Sequence, residues 1–90
     1  MTREKDNPAN LSDKDLEKIH ELVLYNDDVN TFEFVIETLI EVCRHHPEQA
    51  EQCALVAHFK GRCGVKQGDV HALKPLQSEM TNRGLTVSIE

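Results

Sequence analysis

The segment that decides the fold is LVLYNDDVNTFEFVIETLIEVC, residues 22–43. Its beginning alternates as a half-buried strand does, and its second half carries apolar side chains at helical spacing. An amide and two carboxylates, Asn26, Asp27 and Asp28, lie between the two. The strand and the helix therefore meet at a polar turn, and its side chains are candidates for a binding site.

Further signals along the chain predict the order β-α-α-β-α-β. We expect a strand at 20–25, helices at 31–44, 47–60 and 69–83, and a last strand at 85–89. Asn30 is expected to cap the first helix, with Glu33 completing a capping box. Pro47 suits the first position of the second helix, and Gly61 suits its end.

Two positions leave the prediction of secondary structure open. Pro75 removes a helical hydrogen bond, so the third helix either kinks there or begins there after a separate turn. A short strand could start near Val65. Together these elements predict an α+β domain of two layers, residues 19–90, with a three-stranded antiparallel sheet and three helices on one face. Residues 1–18 are polar, and we interpret them as a flexible tail.

Composition restricts the class of protein. The chain has 90 residues and a formal net charge of -6 at pH 7. This size indicates one domain, and the charge argues against nucleic-acid binding, which needs a basic surface. We find no apolar run long enough to cross a membrane and no signal segment at the start. The three cysteines, Cys43, Cys53 and Cys63, then suggest free thiols in a reducing cytoplasm.

Common catalytic and metal-binding patterns fit the sequence poorly. A calcium loop starting at Asn26 would place Thr31 where glycine is required and apolar Phe34 at a ligand position. Zinc could draw on the histidines and cysteines, but their spacing matches no zinc motif. Nothing marks an oxyanion site for a cysteine–histidine nucleophile. We therefore expect no metal, no cofactor and no catalytic residue.

Molecular recognition is the remaining interpretation. If the first two helices pair as a hairpin, His58 returns toward Asn26 and Asp27, which brings an imidazole, an amide and a carboxylate together. An ammonium group carries three N–H donors and needs three such acceptors. The alternative is that Asn26 and Asp28 make only turn and cap hydrogen bonds, and that His58 is a satisfied histidine at the edge of the core.

Two stretches resemble the ClpS family, the adaptors of the bacterial ATP-dependent Clp protease. They are LYNDDVNTFEFVIETLIEVC, residues 24–43, and EQAEQCALVAHFKGRCGV, residues 48–65. The resemblance implies a non-enzymatic, monomeric cytoplasmic adaptor. It would bind proteins that begin with a large hydrophobic residue and deliver these N-degron substrates to the N-terminal domain of the Clp unfoldase. The alternative that stays open is a domain that docks to the unfoldase or another partner without reading N-termini.

The resemblance also implies roles for particular residues. The ligands of the substrate α-amino group would be Asn26, Asp27 and His58. The hydrophobic pocket would be formed by Asn30, Phe32, Val35, Ala54, Leu55 and Ala57. Asp69 and Lys74 would contact the unfoldase, and residues 1–18 would engage its pore.

Some positions differ from the family pattern. The family commonly has methionine where Phe32 and Ala54 stand, valine where Ala57 stands and threonine where Asn30 stands. Because Ala54 removes bulk, we expect weaker rejection of an N-terminal isoleucine or valine. Histidine gains a proton near pH 6.5, so an acceptor role of His58 predicts that affinity falls on acidification.

Overall fold

The computed structural model describes residues 18–90. These residues form three helices and one three-stranded antiparallel sheet in the predicted β-α-α-β-α-β order. The predicted tail, residues 1–18, lies outside the described residues except for Lys18.

The central strand of the sheet is β1, His20–Tyr25, which lies between β2, Arg62–Gly68, and β3, Thr86–Ile89. β2 is longer than the short strand predicted near Val65 because its whole length pairs with β1. The register of this pairing shifts between Leu22 and Val23, so that Val65 is the extra residue of a β-bulge and its side chain is buried in the core.

Helix α1, Phe32–Cys43, has a different N-cap residue from the one that we predicted. Thr31 is the N-cap residue, and its Oγ1 accepts a hydrogen bond from the backbone N–H of Phe34 at 3.0 Å. The prediction of Asn30 as cap was wrong because two adjacent residues could cap the helix, and the Asn30 side chain is engaged elsewhere. Glu33 consequently falls one position short of the capping-box position. The helix ends at Cys43, and Arg44 adopts a left-handed conformation with φ of 61°.

Helices α2, Pro47–Lys60, and α3, Val70–Asn82, complete the fold. Pro47 is the first residue of α2, and Gly61, with φ of 95°, ends that helix as predicted. Asp69 caps α3 by accepting from the N–H of Ala72 at 2.8 Å. Pro75 lies inside α3, which therefore begins neither at Pro75 nor after a separate turn. Pro75 is exposed, so water can reach the carbonyl that lacks a helical donor.

The core lies between the sheet and the helices. Its fully buried side chains include those of Leu22, Leu24, Leu39, Cys43, Leu73 and Met80. Burial raises the pKa of the Cys43 thiol to about 11, and this cysteine acts as a small apolar residue of the core. The three cysteines carry free thiols.

Candidate functional site

A cavity of about 560 Å³ opens where β1 meets the first two helices. Its walls come from the end of β1, the following turn, the start of α1 and the second half of α2. The lining residues are Leu24, Tyr25, Asn26, Asp27, Asp28, Asn30, Phe32, Val35, Ala54, Leu55, Ala57, His58 and Phe59. All of the residues that we predicted to bind an amine or to line a hydrophobic pocket therefore border one cavity.

Backbone pairing explains why residues distant in sequence meet at this cavity. Tyr25, the last residue of β1, pairs with Arg62, the first residue of β2. The N–H of Asn26 donates to the carbonyl of Gly61 at 3.0 Å. Because Gly61 ends α2, this contact holds the last turn of α2, and with it His58, beside the polar turn.

Asp27 is engaged mainly within the turn itself. Its Oδ1 accepts from the backbone N–H groups of Val29 at 2.8 Å and Asn30 at 2.7 Å, and its Oδ2 accepts from Asn30 Nδ2 at 3.1 Å. Partial burial alone would raise the pKa of Asp27, but the hydrogen bonds from Asn30 and Val29 lower it overall. Asp27 therefore carries its negative charge at neutral pH and retains one vacant acceptor position of about four.

Asp28 is a lining residue that our sequence reasoning did not choose. Its side chain is exposed and borders the cavity, and no hydrogen bond within the described residues engages its carboxylate. Turn chemistry indicates that one of the two adjacent aspartates closes the turn, but the sequence does not show which one. An Asp that closes a turn onto the residues two and three positions later uses its own oxygens, which leaves the next carboxylate available.

Asn26 and His58 complete the polar edge of the cavity. Both are exposed, and in the described part of the chain neither side chain makes a hydrogen bond. The His58 ring packs edge-on against Phe59, with 4.9 Å between ring centroids and 75° between planes. The turn bonds are thus made by Asp27, and not by Asn26 or Asp28 as in the alternative interpretation.

The rest of the cavity lining is largely apolar. Ala54 and Ala57 are buried in α2, and half-buried Val35 and Leu55 face the same space. Phe32, at the start of α1, adds an aromatic ring to this lining. The cavity lining thus contains both hydrogen-bond acceptors with negative charge and an apolar surface. Its volume falls in the range of roughly 300–1,000 Å³ that is usual for small-molecule pockets.

The two residues that we predicted to contact the unfoldase do not line the cavity. Asp69 and Lys74 belong to the start of α3, where the Asp69 carboxylate caps the helix and Lys74 is exposed. Residues 18–90 contain no group of three or more His, Cys, Asp or Glu side chains that could hold a metal ion. Over the same range, no helix has the length and apolar character that crossing a membrane requires.

Comparison with known proteins identifies the family. The family model described as ATP-dependent Clp protease adaptor protein ClpS matches residues 15–88. The ClpS adapter of Nitratidesulfovibrio vulgaris strain Miyazaki F is 41% identical over 59 residues, which is 63% of this chain and 59% of that protein. The Campylobacter jejuni ClpS adapter is 40% identical over 50 residues, 53% of this chain and 52% of its own length. This chain thus spans between half and three fifths of the length of these relatives.

A solved structure matches the whole fold. Agrobacterium tumefaciens ClpS2 bound to L-phenylalaninamide has a TM-score of 0.77 and 25% sequence identity, and the match covers 81% of this chain and 95% of that one. The sequence match over most of the chain and the shared fold agree with the resemblance drawn from residues 24–43 and 48–65. This chain belongs to the ClpS family of adaptor proteins of the ATP-dependent Clp protease.

Proposed function

We propose that this protein binds polypeptides that begin with a large hydrophobic residue and delivers them to a Clp unfoldase for degradation. The observation that carries the proposal is the cavity, which joins free hydrogen-bond acceptors and carboxylates to an apolar wall. A protein N-terminus with a large apolar side chain offers the matching pair of features. L-Phenylalaninamide, which the Agrobacterium relative binds, likewise joins an α-amino group to an apolar ring.

The α-ammonium group would be held at the polar edge. Asn26, Asp27 and His58 are the proposed ligands, and we add Asp28, whose carboxylate is free of internal hydrogen bonds. Asp27 can give one further acceptor position and a nearby negative charge. Each hydrogen bond to a charged group contributes about 1.5–3 kcal/mol, so the loss of one of them should be measurable.

The first side chain would enter the apolar part of the cavity. Phe32, Val35, Ala54, Leu55 and Ala57 supply its walls, and Asn30 borders it. Burial of a leucine or phenylalanine side chain contributes about 1.5–3 kcal/mol. Together with the amine contacts, and after the cost of ordering the peptide, this predicts dissociation constants in the low micromolar range or below.

Delivery requires a second contact, to the unfoldase. We assign it to the N-terminal domain of the unfoldase and to the surface around Asp69 and Lys74. Lys74 is exposed and can form an ion pair across an interface, whereas Asp69 already caps α3. In this proposal the protein acts in the cytoplasm as a monomer and catalyses no reaction itself.

Peptide binding tests the proposal directly. Fluorescence anisotropy would compare labelled peptides that begin with Leu, Phe or Ala, together with an N-acetylated Leu peptide that matches the first. We expect Leu and Phe peptides to bind at least about tenfold more tightly than the other two, since one lost charged contact or one lost large side chain amounts to about that factor. Equal binding of the acetylated and free peptides would instead favour a domain that docks without reading N-termini.

A further inference from the structure

The Asn30 side chain lies between two turns that are far apart in sequence. Its Nδ2 donates to Asp27 Oδ2 at 3.1 Å and to the carbonyl oxygen of Gly84 at 2.9 Å. An amide nitrogen carries two hydrogens, so both are used. The side chain therefore links the polar turn at the cavity to the turn between α3 and β3.

The turn between α3 and β3, whose Gly84 carbonyl accepts from Asn30, is itself held by several contacts. Gly84 has φ of 90° and donates its N–H to Thr81 at 2.9 Å. The neighbouring Arg83 forms ion pairs with Glu79 at 2.9 Å and with Glu41 of α1 at 2.7 Å. Thus the carbonyl that accepts from Asn30 belongs to a turn held by α3 and by α1.

The first turn contains the acceptors that face the cavity. Asn30 holds Oδ2 of Asp27, while Oδ1 of Asp27 closes the turn through the N–H groups of Val29 and Asn30. Asn26 and Asp28, on either side of Asp27, have no comparable side-chain contacts within the described residues. Their directions therefore depend on the orientation of the turn that Asn30 and Asp27 hold.

We propose that Asn30 is a positioning residue for amine recognition, because its amide joins Asp27 to Gly84 and so fixes the direction of the acceptors at Asn26 and Asp28. This inference rests on the proposed function. Acceptors that are already ordered lose less conformational freedom when the ligand binds. A hydroxyl side chain at this position has one proton and could donate to only one of the two acceptors.

Replacement of Asn30 by aspartate separates positioning from charge. Asn30→Asp keeps the shape but removes both donors, and it adds a negative charge beside the amine site. Charge attraction alone would tighten the binding of an ammonium group, whereas loss of the link would weaken it. Asn82→Asp, at an exposed position at the end of α3, adds the same charge without touching the link and serves as the matched control.

The experiment measures anisotropy with a Phe-first peptide and its N-acetylated form. We expect Asn30→Asp to weaken binding of the free peptide by at least about tenfold. The ratio between the affinities for the free and the acetylated peptide should also decrease. Asn82→Asp should stay within about twofold of the unsubstituted protein. If the unsubstituted protein does not distinguish the two peptides, the proposed function fails and this inference falls with it.

Two further readouts exclude a simple loss of structure. Thermal unfolding checks that each variant is folded at the assay temperature, and Asn30→Ala offers a neutral variant with an expected loss of about three- to tenfold. By NMR, the Val29 amide should exchange with water at least about fivefold faster in Asn30→Asp but not in Asn82→Asp. Normal peptide discrimination by the unsubstituted protein combined with unchanged or tighter binding by Asn30→Asp would overturn the positioning role alone.

Discussion

Polar residues make up most of both turns that flank α1, but only the second turn buries a polar side chain. The turn before α1, residues 26–31, presents Asn26 and Asp28 outward beside a cavity. The turn after α1, residues 44–46, directs His45 inward, where its Nε2 contacts the carbonyl of Val65 at 2.6 Å and its side chain is buried. Polar residues in a turn therefore do not by themselves indicate a site. A turn can bind a ligand only if its polar side chains point outward and their hydrogen-bonding atoms are not already paired within the protein.

The largest contrast is expected between substitutions of the two histidines. His58→Ala is expected to weaken binding of a Phe-first peptide by about 10- to 100-fold, because one hydrogen bond to a charged group is lost. It should leave the free energy of unfolding nearly unchanged, since His58 is exposed. His45→Ala should instead lower the free energy of unfolding by about 1–3 kcal/mol, because the buried Val65 carbonyl loses its partner.

Anisotropy and urea unfolding of both variants measure the two effects separately. His46→Ala removes an exposed histidine that makes no side-chain cap hydrogen bond, and it is the matched control for both. A folded His45→Ala variant that binds as weakly as His58→Ala would show that the two turns are not independent.

Within the first turn, we expect Asp27 and Asp28 to have different roles. Asp28→Asn is expected to weaken peptide binding by about tenfold, the usual size of one charged hydrogen bond, without loss of stability. Asp27→Asn should weaken binding and also lower the melting temperature, because the Asp27 carboxylate holds the turn and receives the Asn30 amide. Peptide titration and thermal unfolding of each variant provide both values. A stability loss in Asp28→Asn alone would reverse the assigned roles.

The sequence predicted the features that depend on neighbouring residues, and it failed where a contact distant in sequence decides. The alternation around Leu22 and Leu24, Pro47 at a helix start and Gly61 at a helix end are local signals, and the structure confirms the elements that they predicted. The choice between Asn30 and Thr31 as cap depended on Gly84, a partner distant in sequence. Local propensity cannot show which of two adjacent capping residues is engaged elsewhere.

Most residues of the site could also be predicted from the sequence, but one could not. The helix hairpin that returns His58 toward Asn26 follows from element order, and both residues border the cavity together with the predicted apolar set. The free carboxylate of Asp28 was missed because the sequence does not show which aspartate closes the turn. The sequence also did not decide whether a helix can continue through Pro75, because the energetic cost of an interior proline depends on whether water can reach the unpaired carbonyl.

A smaller effect concerns the shape of the apolar wall. Ala54 is buried beside the cavity, and its small side chain leaves space for a branched first residue. We expect an Ile-first peptide to bind within about tenfold of the matching Leu-first peptide, because the difference lies in shape and not in apolar area. Ala54→Met should fill that space and increase the ratio between the two affinities by a few-fold. Strong rejection of isoleucine by the unsubstituted protein would contradict this expectation.

The smallest expected effect is the acid dependence of stability, which tests whether the first turn is held through Asp27. The pKa of Asp27 is lowered in the folded state, because hydrogen bonds from Asn30 and Val29 outweigh the opposing effect of burial. Its contribution is therefore fully present above the unfolded-state pKa of about 3.9 and is lost as the pH falls below that value through the lower folded-state pKa. Urea unfolding between pH 6 and pH 3 should show a steeper loss of stability in the unsubstituted protein than in Asp27→Asn. Equal slopes would mean that the turn is held by its backbone and not by the charge of Asp27, and the contrast with the buried contact of His45 would then disappear.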